Sequence, residues 1–322
     1  MCDQTPLERG TGPGHFPLMS TLALPDSRPL NAWLGYGALL LLGATLDVVT
    51  TNYPADLPFW IPWEFSWPEY LATALALAWF FRGLRILPRA EHPPLWRNAS
   101  FILGVVSIYA VLQTHIDYYA VHMFFVHRWA HFVLHHAGAF LIAMGASGPV
   151  LRAGMPDFLR PVIEARPVRR LMDVLQHPAI APALFVGLLY FWLIPSIHTT
   201  VMLDRRLYDV MNWTMAINGI MFWSLVLDPR PKPPARLSPL IRGLMILLIE
   251  LPQMVLGAIL SLSMTDYYPV YTICGRALDF SALSDMHYGG LIIWLPGTLT
   301  SFAAMIVMLV NMRLNEEREE RE

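Results

Sequence analysis

Long apolar stretches with almost no charge are what most restrict this chain. Leu240–Leu262 and Gly289–Val310 are each long enough, as helices, to cross a hydrocarbon layer of about 30 Å. A backbone inside lipid finds no water to bond, so only helices and closed barrels can cross. These stretches are apolar continuously rather than at alternate residues, which is the helical pattern. Composition agrees: 55% of the residues are hydrophobic and 14% are charged. Soluble domains carry roughly 25% charged residues, so the chain is too poor in charge to cover itself for water. The expected class is therefore all-α, a polytopic transmembrane helical bundle with the lipid bilayer as its surroundings. A net charge of −2 offers no basic footprint for nucleic acid. Cys2 and Cys274 are far apart in the sequence, and no disulfide is expected.

Spans are expected at about 32–50, 69–87, 99–117, 120–146, 178–200, 208–227, 240–264 and 287–312. Residues 1–30 are rich in Gly and Pro and read as a disordered leader. Residues 31–64 hold the first span, read as a retained anchor, and a loop. Residues 65–313 form the core membrane domain, and 314–322 a charged tail. Positive charge alternates from loop to loop. Arg82, Arg85, Arg89 and Arg97 fall between spans two and three, and Arg152, Arg160, Arg166, Arg169 and Arg170 between four and five. Arg230, Lys232, Arg236 and Arg242 fall between six and seven, and Arg313 follows span eight. With eight spans all of these share one side. Basic loops stay cytoplasmic, so both termini are expected there.

The segment THIDYYAVHMFFVHRWAHFVLHHAG is the unusual one. His127, His131 and His135 recur every fourth residue and are expected on one helix face. Ionisable groups inside a membrane are costly and face a bundle interior or a cavity. The orientation gathers further polar and sulfur groups on the outer side: His115 and Asp117, His122, His198, Met264, and Met286 with His287. Imidazole and thioether together suit copper, and thioether favours Cu(I). Two histidines one helical turn apart can share a metal ion. Against this stands a polar network that only fixes helix packing, with methionine as core filler. His15, His92 and His177 read as interfacial residues. Glu250 and Gln253 lie inside span seven, where Glu250 reads as a proton relay, as a partner for an inward histidine, or as a protonated structural residue.

These residues also carry a resemblance. The stretches WLPG after SALSDMHY, LPQMVLGAIL followed by YYPVY, and WEFSWPEYLATALALAWFFRGLRIL resemble the CtaG-type cytochrome c oxidase assembly factors. So does THID followed by HRWAH and MGAS, and so does HPAIAPALFVGLLYFWLIP. The resemblance covers about 65–315 and implies seven core spans, the first span being an addition. It implies a role in maturing the copper site of a haem–copper oxidase, with the oxidase subunits as partners. Asp117, His127 and His131 carry over as copper-site residues. The chain departs from the family at Leu193, where a histidine is expected, and at Tyr208 and Asn212, where two more are. At His287 glutamine is expected. His115, His122, His198 and His287 are candidates to compensate.

The expected function is thus a bacterial inner-membrane assembly factor that holds or delivers Cu(I) at the periplasmic face, without turnover chemistry. One alternative is a b-type haem quinol oxidoreductase subunit, with His131 and His287 as axial ligands. Another is a copper permease, for which His135, His136 and Glu250 would continue the polar path.

Overall fold

The structure, a computed structural model, describes residues 29–321. Almost all of the leader expected over 1–30, with Cys2 and His15, lies outside the described residues. Every regular element among them is helical. The chain divides into two units at Leu42 and Gly43. The first, as far as it is described, is the opening part of helix α1 (Pro29–Asn52). The second contains all that follows.

Its helices are interrupted where side chains or prolines end one hydrogen-bond ladder and start the next. α2 (Trp67–Ile86) leads to α3 (Leu95–Gln113). The span expected over 99–117 breaks at Thr114. Its hydroxyl donates to the Ala110 carbonyl at 2.6 Å, closing α3, and accepts from the Ile116 amide at 3.3 Å, opening α4 (His115–His122). Asp117 therefore lies beyond the crossing helix. α5 (Phe124–Phe132) passes through a π-helical turn, Val133–Ala137, into α6 (Gly138–Gly145). α7 (Gly148–Gly154), α8 (Arg160–Ile163) and α9 (Arg166–Leu175) are short. The span expected over 178–200 divides into α10 (Ile180–Leu193) and α11 (Pro195–Met202). Ile194 is extended there, as a residue before proline tends to be. α12 (Arg205–Val226) is capped by Asp204, which accepts from the amides of Arg206 and Leu207. α13 (Pro239–Leu262), α14 (Val270–Ile273) and α15 (Ala282–Glu319) complete the chain.

Among the described residues, four helices are long and apolar enough to cross a membrane: Leu34–Asn52, Leu95–Gln113, Pro239–Leu262 and Ala282–Glu319. Two bent pairs, Phe124–Gly145 with Gly148–Gly154 and Arg166–Leu175 with Ile180–Leu193, bring the number to six if each is one span. Length and composition thus support several crossings, fewer than the eight expected. α2 and α12 are long enough but more polar, with Glu69, Arg82 and Arg85 in one and Arg205, Arg206 and Asp209 in the other. Their acids are held by neighbours: Glu69 accepts from Gln113 at 2.7 Å, and Asp209 pairs with Arg205 at 3.1 Å.

α13 packs along α15, α5 lies against α15, and α12 packs on α6 and on the π turn. Glycine allows the closest of these approaches. A Cβ on Gly290 would lie 2.6 Å from the Ser261 amide nitrogen, so α13 and α15 meet almost backbone to backbone. Phe124, Tyr208, Met211, Met215, Tyr268, Tyr271 and Met286 share one buried apolar cluster, and the polar residues below are set into its surroundings.

Candidate metal centre

α5 starts where Asp285, wholly buried on α15, accepts from the amides of Phe124 at 3.0 Å and Phe125 at 2.8 Å. An acid at this point satisfies amides that the helix leaves open and complements its dipole. Arg276 pairs with the same carboxylate. This clamp sets the position of α5, and α5 carries His127 and His131.

His127 is completely buried, and neither ring nitrogen makes a hydrogen bond. The Ala120 carbonyl lies nearby, outside hydrogen-bonding geometry. The ring stands 4.4 Å from His131, 5.3 Å from His198, 5.7 Å from Tyr208 and 6.4 Å from Tyr271, centroid to centroid. Buried polar groups are nearly always paired, so an imidazole with two idle nitrogens needs an explanation.

His131 is held from α12. Its Nε2 donates to Oδ1 of Asn212 at 3.0 Å, which leaves the Nδ1 lone pair without a partner. His198 on α11 is already satisfied. Its Nδ1 donates to the Trp192 carbonyl at 3.0 Å, and its Nε2 accepts from the Tyr271 hydroxyl at 2.9 Å. Burial pushes the Tyr271 phenol well above its ordinary pKa, so it remains a donor. His198 thus walls the site with its lone pair occupied.

Asp117 reaches the site through Tyr208. The Tyr208 hydroxyl donates to Asp117 Oδ1 at 2.7 Å, Trp63 Nε1 donates to Oδ2 at 3.3 Å, and Arg205 lies 3.6 Å from Oδ2. Burial raises the Asp117 carboxyl to about 6, against the pull of Tyr208 and Arg205. With its oxygens so engaged, Asp117 is an orienting group behind Tyr208. The two positions where the resemblance expects histidines, Tyr208 and Asn212, therefore both face the pair: one ring abuts His127 and one amide holds His131. Leu193 is buried, and its carbonyl accepts from Tyr268 at 2.8 Å.

The remaining sequence candidates are placed elsewhere. His115 stacks on Phe59 and bonds its carbonyl at 3.2 Å. His122 bonds the Tyr118 carbonyl at 2.7 Å, and His287 donates to the Ser263 carbonyl at 2.7 Å. None of the three is a ring neighbour of His127 or His131. Met264 is 87% exposed. Met286 is buried, and its sulfur accepts from the Tyr267 amide at 3.5 Å. His135 leaves the expected stripe because the π turn winds more widely than an α-helix. It stacks on Phe185 at 3.7 Å and bonds Asn218 at 3.2 Å. His136 bonds Gln253 at 2.8 Å, and Glu250 accepts from Thr298.

Among the described residues, no three of His, Cys, Asp or Glu converge to enclose a metal ion. The pair His127 and His131 offers two neutral nitrogen donors, with an amide fixing one ring from behind. Such outer support is usual around metal-bound histidine. Imidazole donors suit several transition metals, copper among them. The cavity beside His131 has a volume of about 20 Å³, room for one water-sized species and far too little for a porphyrin.

The family of cytochrome c oxidase caa3 assembly factors (Caa3_CtaG) matches residues 78–314. The chain belongs to that family. Membership ties it to the cytochrome oxidase assembly machinery. No curated protein and no solved structure matches it. Sequence reasoning missed Tyr271 and Arg128 at this centre. Arg128 carried a signal, being a charge inside an apolar span; Tyr271 carried none.

Proposed function

We propose that this family member holds Cu(I) between His127 and His131 and passes it to the copper site of a haem–copper oxidase catalytic subunit. Copper is cargo in this reading, and no turnover chemistry is assigned. The observation that carries it is His127, fully buried with both ring nitrogens unpartnered and a second imidazole 4.4 Å away. A histidine kept only for packing would find partners, as His198 has done through Trp192 and Tyr271. The buried thioethers of Met211 and Met215, in the adjoining apolar cluster, add soft character to the surroundings. The distribution of arginine between the spans supports a bacterial inner-membrane location with both termini in the cytoplasm and this centre toward the periplasm.

The test is the copper content and Cu(I) affinity of the purified protein beside a His127→Ala/His131→Ala double variant. The double variant is expected to lose stoichiometric copper while keeping its helical content. Equal copper in both would remove the site.

A further inference from the structure

Arg128 follows His127 and points into a different problem. Its side chain is 2% exposed, and Nε, Nη1 and Nη2 all lack a hydrogen-bond partner. Among the described residues no ion pair involves it. The acid across from α5, Asp285, is already engaged by Arg276 and by two amides. What Arg128 does have is an aromatic face, Phe124, 5.2 Å from the guanidinium carbon. A guanidinium does not shed its proton in a protein, so this is a permanent charge. A buried charge is tolerated when it is paired, and a cation–π contact alone does not replace a counter-charge.

Arg128 lines the cavity of about 20 Å³ together with His131, His135, His136, Met215 and Gln253. That volume admits one species of about the size of water. We propose that this cavity is a site for a small monovalent anion of the halide class, held by Arg128. Size excludes phosphate, sulfate and carboxylic acids. Charge favours an anion over water: water can accept the guanidinium hydrogen bonds but leaves the positive charge uncompensated. An anion here also offsets the charge of a cation at the neighbouring imidazoles, but the site does not depend on one.

The experiment uses metal-free full-length protein in detergent. Thermal unfolding is followed while chloride replaces gluconate at constant ionic strength. A ligand bound only by the folded state raises the midpoint with the logarithm of its concentration above Kd. The wild type is expected to be stabilised by chloride by several degrees, roughly, across a hundredfold range. Arg128→Gln is expected to lose that dependence. Should that variant not fold, crystals of the wild type in bromide give a second readout, with an anomalous peak expected beside the guanidinium. Equal midpoints in chloride and gluconate, with no bromide at Arg128, would leave water as the occupant and overturn the proposal. Copper plays no part in either measurement, so this result and that of the His127/His131 experiment stand apart.

Discussion

The Tyr208 hydroxyl donates to Asp117 Oδ1 at 2.7 Å, and the ring that carries it lies 5.7 Å from His127. The bond joins the start of α12 to α4 across a buried gap. Tyr208→Phe keeps the ring and removes the donor, leaving Asp117 with Trp63 and Arg205. An acceptor stripped of a buried partner costs about 1–3 kcal/mol. The variant is expected to lose that much stability in denaturant unfolding. Its Cu(I) affinity should fall less than tenfold, because no ligand is removed. A loss as large as that of His127→Ala would make Tyr208 a ligand.

Asn212 offers a sharper separation of roles. Its Oδ1 accepts from Nε2 of His131 at 3.0 Å. Groups behind a metal-bound histidine commonly account for about 10–100-fold in affinity. Asn212→Leu fills similar space and removes the acceptor. A Cu(I) affinity lowered by about that factor, in a protein with unchanged helical content, is expected. An unchanged affinity would show that His131 needs no orienting partner, or that it binds no copper.

The cap on α5 is testable without metal. Asp285→Ala removes acceptors from the Phe124 and Phe125 amides and strands Arg276, which is 12% exposed. Loss of a helix cap alone costs about 0.5–2 kcal/mol. The unpaired arginine adds to that. Asp285→Asn keeps an acceptor and should recover part of the loss. Guanidinium-free thermal unfolding of the three proteins checks the order wild type, Asn, Ala.

The helical class and the apolar crossing segments were legible because lipid leaves a chain few choices, and apolar run length reports them directly. His127 and His131 were legible because an ordinary helical turn brings such residues together. His135 was not, since nothing in VLHHA announces a π turn, and the wider winding takes it to Phe185. The break at Thr114 was also hidden: a threonine whose hydroxyl serves two helices looks like any threonine. His115, His122 and His287 were grouped by side of the membrane, which is a coarse coordinate. Each instead met a backbone carbonyl within reach. Tyr208 and Asn212 were visible only as departures from a family pattern, and nothing in the sequence says that both still face the histidine pair.

The Asp117 carboxyl gives a pH dependence. Burial raises it to about 6 from an ordinary value of 3.8. Between those values the folded protein holds a proton that the unfolded chain has lost. The associated stability is complete below 3.8 and is lost as pH rises through about 6. Unfolding midpoints measured from pH 4 to pH 7 should therefore decline, most steeply between 3.8 and about 6, and level off above that. Asp117→Asn cannot titrate and should flatten that part of the profile. A wild-type curve already flat there would mean that Arg205 and Tyr208 outweigh burial.

Gly219 ties the packing of α12 to the π turn. A Cβ at this position would lie 2.6 Å from the His135 carbonyl oxygen and 2.8 Å from its Cα. Neither is a flexible chain end, so the backbone itself must move. Overpacking of this kind costs about 1–3 kcal/mol. Gly187 on α10 is the matched control, with nothing within 4 Å of its added Cβ. There alanine should help, since glycine within a helix is worse than alanine by about 0.5–1 kcal/mol. Opposite signs are therefore expected for the same substitution, Gly219→Ala destabilising and Gly187→Ala stabilising in thermal unfolding. Because Trp223 Nε1 donates to the same His135 carbonyl at 3.0 Å, the displacement in Gly219→Ala should also appear as a shift in tryptophan fluorescence. Two variants of equal stability and unchanged emission would mean that α12 does not press on the π turn as closely as the backbone distances require.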